Sequence, residues 1–171
     1  MTLYLPSEQV NFRNNARYNF SIHAFGLSYS KEFEGAKYPH DGPDFPGNSV
    51  PPGGSFTYRW SVPARSGPTP HEWSSVCYPY TSHVDPVADS NSGLVGPIVI
   101  TAAGMADDDG RPLDVDREFF QLYTVSDENV SKYIEDNMEL KLGEVSEDLL
   151  EDGDFQERYR PPPALRREIS R

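Results

Sequence analysis

Short runs in which apolar and polar residues alternate recur along the chain and predict half-buried β-strands. Successive side chains of a strand point to opposite faces, so alternation is typical of a strand with one buried face. The pair Asn14 and Asn15 separates the first two runs and predicts a hairpin at the start of the chain. The predicted strands comprise residues 10–13, 18–25, 56–62, 76–84, 93–100 and 117–125.

Segments rich in Pro, Gly, Asp and Asn join these predicted strands. Residues 31–54 form a long predicted loop that ends in PPGG, which stops any regular element. Residues 85–92 are interpreted as a turn-rich crossing between two strands. After the last strand, Asp127 can cap backbone amides from Asn129 onward, and a short helix is predicted over residues 132–138.

The strand pattern predicts an all-β fold, an antiparallel Greek-key β-sandwich with one short helix after the last strand. The predicted strands are fewer than a closed sandwich uses, so a sheet edge lacks a partner and the sandwich is expected to be incomplete. From Gly143 the chain is acidic and poor in aromatic residues, then continues as PPP and a basic end. We therefore expect one domain over residues 1–142 and a weakly ordered tail or interdomain linker over residues 143–171.

The chain carries a formal net charge of -12 and has a sequence pI of about 4.6. Nucleic acids and anionic lipids bind surfaces with clustered Lys and Arg, so neither is an expected partner. A run of about 18 apolar residues is absent, which argues against membrane insertion. The opening MTLYLPSEQV has neither the basic start nor the apolar core of a secretory signal peptide. The chain is therefore expected to be soluble.

Three features leave the cellular compartment open. N-glycosylation sequons occur at Asn19 and Asn129, but motifs of three residues also arise by chance. The single cysteine, Cys77, cannot form an internal disulfide. It is interpreted as a small buried apolar residue, because no base or cationic residue is close to it in the sequence.

Two of the four histidines, His23 and His83, lie at the ends of predicted strands. Imidazoles in this position are frequent copper ligands. The alternative is that both are polar strand-end residues that form hydrogen bonds with the backbone. His40 and His71 lie in Pro-rich loops and are expected to be solvated.

Five motifs follow one another in a fixed order along the chain: KEFEGAKYP at 31–39, TSHVD at 81–85, SGLVGPIV at 92–99, DREFF at 116–120 and DENVSKYIEDN at 127–137. In this order and spacing they resemble a ceruloplasmin domain, and the resemblance extends over about residues 8–157. This family of multicopper oxidases includes ceruloplasmin, hephaestin and the A domains of coagulation factors V and VIII. Its members are built from paired cupredoxin domains.

The resemblance implies a plastocyanin-like cupredoxin domain that lacks its first strands. It also implies an extracellular or secreted protein whose partners are further cupredoxin domains of the same or a related chain. The parent protein is then either a ferroxidase-type multicopper oxidase, in which this segment scaffolds the copper assembly, or a non-catalytic cofactor like the A domains of the clotting factors. The two histidines do not decide between these functions.

Copper is the cofactor that the resemblance implies. In the ferroxidases of the family, two His-x-His pairs of the first domain and similar pairs of the last domain hold a three-copper cluster that reduces oxygen to water. The matching positions here read His23, Ala24, Phe25 and Thr81, Ser82, His83. Because phenylalanine and threonine supply no imidazole, a complete cluster is not expected on this chain, and the isolated chain is expected to be inactive. His23 and His83 remain candidate copper ligands, with further ligands supplied by a partner domain.

The resemblance also implies a calcium site in the loop that follows Lys31. Glu34, Asp41 and Asp44 are the candidate ligands, because hard cations bind clusters of carboxylate and carbonyl oxygens. The alternative is a solvated acidic loop. At Cys77 the family places one half of a disulfide, but the partner position is Thr101, so that bridge is not expected here.

Overall fold

The computed structural model describes residues 2–3, 7–38, 42, 44–143 and 147–158. The chain divides into two compact units. The first unit comprises Met1–Pro86 and Val95–Phe120, and the second comprises Val87–Leu94 and Gln121–Arg171. The candidate histidines belong to the first unit.

The first unit contains two β-sheets. One sheet has four strands in the order β1-β6-β5-β3, and the other pairs β2 with β4. All pairings are antiparallel except that of β1 with β6. The strands are β1 (Thr2–Leu3), β2 (Ser7–Arg13), β3 (His23–Ala24), β4 (Ser55–Ser61), β5 (Ser75–Thr81) and β6 (Val95–Thr101).

The two sheets pack face to face, because their strands carry large apolar residues on one side. In β4, Tyr58 and Trp60 are fully buried whereas Arg59 between them is exposed. The shared core consists of Ala24, Tyr58, Trp60, Val62, Ile98 and Ile100. The predicted all-β sandwich with antiparallel pairing is therefore confirmed.

The predicted N-terminal hairpin is wrong. Strand β2 pairs along its whole length with β4, from Ser7 opposite Ser61 to Arg13 opposite Ser55. Asn14 turns inward instead of reversing the chain: its Nδ2 donates to the carbonyls of Tyr18 (2.7 Å) and Val50 (2.9 Å). The side chain of Asn14 thus ties the end of β2 to a distant loop, an interaction that local turn propensity does not reveal.

Residues 117–125 are not a strand in the structure. Within the described part of the chain no strand pairs with this segment, although its composition is that of a strand. Its large side chains face solvent, with Phe119 78% and Tyr123 88% exposed. Strand propensity depends on a neighbouring strand to pack against, and none of the described residues provides one here.

The second unit contains α1 (Pro86–Asn91) except its first residue, together with α2 (Ile134–Leu142), α3 (Glu147–Glu151) and α4 (Gly153–Arg158). The expected crossing at residues 85–92 is therefore a helix, with Pro at its first position and Gly93 at φ 87° beyond its end. The sequence predicts one helix after the last strand, whereas the described residues contain three there, α2, α3 and α4. Asp127 caps as predicted, accepting the backbone N–H of Asn129 (3.1 Å).

The expected weak order of residues 143–171 is not found in α3 and α4, which make up most of the described part of this segment. Residues 144–146 and 159–171 lie outside the described residues. The predicted domain boundary after residue 142 stays a prediction.

Candidate functional site

His23 lies in the two-residue strand β3, opposite Thr81 of β5. Its Nδ1 is 2.8 Å from the carbonyl oxygen of Glu34. A carbonyl oxygen can only accept, so Nδ1 carries the proton and donates it. In the neutral ring the lone pair is then on Nε2, the arrangement in which a histidine can bind a metal ion.

His83 follows β5 and is held through its backbone. Its N–H donates to Oγ of Ser21 (3.0 Å), and this hydroxyl donates to the carbonyl of Gly35 (2.6 Å). The N–H of Ser21 in turn donates to Oγ of Ser82 (3.0 Å). Both serines are 1% exposed, so these bonds satisfy polar groups that water does not reach.

The loop that contains Glu34 approaches the two strands closely because Gly35 has no side chain. At φ 69°, Gly35 is in the left-handed region, and a Cβ there would lie 2.2 Å from the carbonyl oxygen of Ile22. The next residue, Ala36, forms a parallel bridge with His83. The loop thereby contacts both histidines through its backbone.

The structure brings the two predicted histidines together. Their rings are stacked, with centroids 4.1 Å apart and planes inclined by 21°. The ring of Phe25 meets both histidines edge-on, at 5.0 Å from His23 and 6.0 Å from His83. Tyr29 meets His23 edge-on at 5.9 Å. The result is an aromatic cluster in which Phe25 occupies one of the positions where the family resemblance implies a ligand.

The stacked pair does not converge on one metal ion. An imidazole nitrogen binds a metal at about 2 Å, with the ion close to the plane of the ring. With the ring centroids 4.1 Å apart and the planes inclined by 21°, an ion close to the plane of one ring and within binding distance of its nitrogen does not lie close to the plane of the other ring. Among the described residues, no group of three or more His, Cys, Asp or Glu could hold a metal ion. Copper binding by His23 and His83 therefore stays a prediction that requires ligands from elsewhere.

Thr81 stands opposite His23 at the second position where the resemblance implies an imidazole. Its Oγ1 is buried and has no hydrogen-bond partner among the residues that the structure describes. A hydroxyl in this state is costly to bury. It is a weaker ligand for copper than the imidazole that it replaces.

The carboxylate of Glu34, a candidate calcium ligand, is already engaged. It accepts hydrogen bonds from Nζ of Lys31 (3.0 Å) and from the hydroxyl of Tyr38. Burial raises the pKa of Glu34, but these two donors outweigh it and the pKa is lowered overall. Asp44 is exposed, and Asp41 lies outside the described residues. Calcium binding stays a prediction.

Cys77 is exposed on β5, so its expected burial is wrong. The alternation of β5 directs its neighbours Val76 and Tyr78 to the core and Cys77 to the opposite face. It stands opposite Val99, whereas Thr101 stands opposite Ser75. The thiol is free.

Several residues that position the histidines were not recognised from the sequence: Ser21, Gly35 and Ser82. In the sequence the two serines are marked by their position near the histidines: Ser21 precedes His23 by two residues, and Ser82 immediately precedes His83. Serine is too common at strand ends for this to single out the site.

Sequence comparison identifies relatives of this chain. Residues 7–104 match the multicopper oxidase family model. Human hephaestin is 45% identical over 125 residues, which are 73% of this chain and 11% of hephaestin. Human ferroxidase HEPHL1 is 41% identical over 131 residues, 76% of this chain and 11% of the relative. Coagulation factor V of Pseudonaja textilis is 42% identical over 127 residues, 73% of this chain and 9% of the relative.

The chain spans about a tenth of the length of these curated relatives. The matched region includes the sandwich strands from β2 to β6 and both histidines. Among the described residues, no helix is both long and apolar enough to cross a membrane.

Proposed function

Because the chain belongs to the multicopper oxidase family, we propose that it is a cupredoxin segment that scaffolds the copper assembly of a larger, ferroxidase-type oxidase. One similar protein is named a ferroxidase, and hephaestin has the highest identity of the three relatives described above. The parent proteins of the family use copper. The role of the segment would be structural: it would hold the copper-binding parts of the assembly in place.

The observation that carries this proposal is the stacked pair of His23 and His83. Both imidazoles are retained and lie side by side, but Phe25 and Thr81 take the positions of the other two expected ligands. A chain of this kind can position part of a copper site, and any remaining ligands would come from another domain. On its own it would not reduce oxygen.

The second candidate function is a non-catalytic cofactor or interaction domain. The 42% identity to coagulation factor V supports it, because that identity is as high as the identity to the ferroxidase. The substitution of two ligand positions also fits a domain that has lost oxygen chemistry. The two candidates differ in the activity of the parent protein, not in the fold of this segment.

We further propose that a cupredoxin domain of the same or a related chain is the partner. Relatives roughly ten times longer than the match leave ample length for additional domains. Residues 117–125 offer that partner an exposed apolar surface of strand-like composition, which is unusual for a protein surface that stays in water. Residues 143–171, acidic and then Pro-rich, would link this segment to the next domain. The whole assembly would be extracellular.

Calcium binding in the loop after Lys31 is a separate proposal. It requires Glu34 to exchange its bonds with Lys31 and Tyr38 for a cation. A calcium-dependent rise of the thermal midpoint that is lost in Glu34→Gln would support it. An equal midpoint with calcium and with chelator would refute it.

Copper loading of the purified full chain tests the main proposal. We expect negligible bound copper by mass spectrometry and no iron-dependent oxygen uptake, equally in the wild type and in the double variant His23→Ala/His83→Ala. His71→Ala, in an exposed turn, is the matched control for loss of a histidine. Iron-dependent oxygen uptake by the isolated chain would refute the scaffold role.

The same double substitution in the longer parent protein separates the two candidates. For a ferroxidase, copper content and oxygen uptake should both fall relative to His71→Ala. For a non-catalytic cofactor, the parent protein should show no iron-dependent oxygen uptake even without the substitutions, so they cannot lower it.

A further inference from the structure

Two sequons, at Asn19 and Asn129, are left unexplained by the scaffold function, and the structure treats them differently. The side chain of Asn19 is exposed, and its Nδ2 donates to Oγ of Ser49 at 3.0 Å, on the surface. Asn129 is half-buried in the second unit. The accessible side chain is therefore that of Asn19.

The hydrogen bonds of the two amides differ in a way that matters for glycosylation. N-glycosylation replaces one of the two hydrogens on Nδ2 and adds a bulky group that needs solvent around it. At Asn19 the remaining hydrogen can keep the bond to Ser49. At Asn129 both hydrogens are in use, because Nδ2 donates to Oδ1 of Asp127 (2.8 Å) and to the carbonyl of Gln156 (3.1 Å).

A glycan on Asn129 would also disturb its surroundings. The side chain of Asp127 that accepts from Nδ2 of Asn129 also caps the following turn by accepting the backbone N–H of Asn129. Ser131, the third residue of this sequon, is buried, but so is Ser21 at the same position of the Asn19 sequon, so the two sites differ in the bonds of the asparagine side chain and not in the burial of the serine. Displacing Nδ2 would break at least one bond in a part-buried network.

We propose that Asn19 is an N-glycosylation site of the folded protein and that Asn129 is not. The acceptor is the Nδ2 amide of Asn19: a bond forms between Nδ2 and the anomeric carbon of an oligosaccharide while the bond from that carbon to its lipid pyrophosphate carrier breaks, the carrier leaves, and the amide gives up one proton. Glycan transfer acts on the chain before it folds, so Asn129 is disfavoured because its modified form does not complete the fold. The proposal rests on the extracellular localisation included in the proposed function, but it is independent of copper and of oxidase activity.

Expression of the full chain behind a secretion leader in a eukaryotic host tests the proposal. Wild type, Asn19→Gln and Asn129→Gln are compared before and after enzymatic deglycosylation, which converts a glycosylated Asn to Asp. We expect the mobility shift in the wild type and in Asn129→Gln, and its complete loss in Asn19→Gln. Peptide mass mapping should find the Asp conversion at position 19 and an unmodified Asn at position 129.

The retained intracellular pool is mapped in parallel, so that poor secretion does not obscure the answer. Chains modified at Asn129 are expected in that pool alone. A persistent shift in Asn19→Gln, an unmodified Asn19 in both pools, or a glycan on Asn129 of secreted protein would overturn the proposal. Copper content, measured on the same samples, reports separately on the scaffold function.

Discussion

At the scale of single residues, the positions of the two histidines are set by neighbours that are not themselves metal ligands. Ser21 connects three backbone segments, since it bonds to Ser82, His83 and Gly35. The carbonyl of Glu34 fixes the tautomer and the orientation of His23. A polar site of this kind keeps its geometry even where two expected ligands are absent.

Replacement of Gly35 by alanine tests the close approach of this loop. A Cβ at Gly35 would meet the carbonyl of Ile22 at 2.2 Å, and the positive φ adds strain, so we expect the free energy of unfolding to fall by about 2–4 kcal/mol. Gly53→Ala is the control, because Gly53 has a similar φ of 75° but nothing within 4 Å of its Cβ position. Urea unfolding measures both. Equal losses in the two variants would mean that the contact with Ile22 is unimportant.

Tyr58 predicts a dependence of stability on alkaline pH. Its buried hydroxyl donates to the carbonyl of Gly47 (2.6 Å) and accepts the N–H of Ile22 (3.1 Å), and burial raises the pKa of Tyr58 to about 12. A raised pKa favours the neutral phenol in the folded state. This stabilisation is complete below the unfolded pKa of about 10 and is lost as pH rises towards about 12, at no more than about 1.4 kcal/mol per pH unit.

Tyr58→Phe measures this contribution. Near neutral pH we expect a loss of about 1–3 kcal/mol, because two buried backbone groups lose their partner. The difference in unfolding free energy between wild type and variant should narrow above about pH 10. A difference that stays constant across this range would contradict the assignment. Tyr18→Phe, at a more exposed tyrosine, is the control.

At the scale of secondary-structure elements, the 117–125 segment departs furthest from the structure that its sequence pattern predicts. Its sequence is that of a strand, but it has no strand partner among the described residues and exposes Phe119, Phe120, Leu122 and Tyr123. Among the described residues, β2 and β4 form a sheet of two strands, which by itself is marginal. A strand of another domain that paired with the 117–125 segment would cover its apolar side chains.

The isolated chain is therefore expected to self-associate through this segment. The double variant Phe119→Ser/Tyr123→Ser should weaken association at least about tenfold, because each removed side chain buries an area worth roughly 1–3 kcal/mol. Leu140→Ser is the control, since Leu140 is equally exposed but lies on α2. Sedimentation velocity over a concentration series provides the measurement. Unchanged association in the double variant would assign it to another surface.

At the scale of the whole molecule, the net charge of -12 opposes folding through repulsion among the acidic groups. Raising the salt concentration from about 0.05 to about 0.5 M should therefore raise the thermal midpoint by a few degrees, because the screening length shortens. The exposed Lys31–Glu34 ion pair would lose strength, but such pairs contribute little. NaCl and KCl should act equally. A falling midpoint would mean that favourable ion pairs outweigh the repulsion.

Sequence reasoning predicted the sandwich strands well where burial alone sets the pattern. The alternation of Phe56, Tyr58 and Trp60 specifies a core-facing side whichever strand lies next to it. The sequence-based predictions were wrong where the structure of a segment depends on which strand pairs with it. Strand β2 had a plausible local partner in residues 18–25 but pairs with β4, and residues 117–125 have a strand pattern but no neighbouring strand in the described part of the chain.

For the site, the sequence singled out His23 and His83, and the structure determined what they form. Residue type and strand-end position mark an imidazole as a candidate ligand. The phenylalanine at position 25 and the threonine at position 81 already exclude further imidazoles there. Whether the rings converge on a metal or stack depends on the register of β3 against β5 and on the approach of the loop at Gly35. The register of β3 against β5 joins residues about 60 positions apart along the chain, and local pattern carries no information about it.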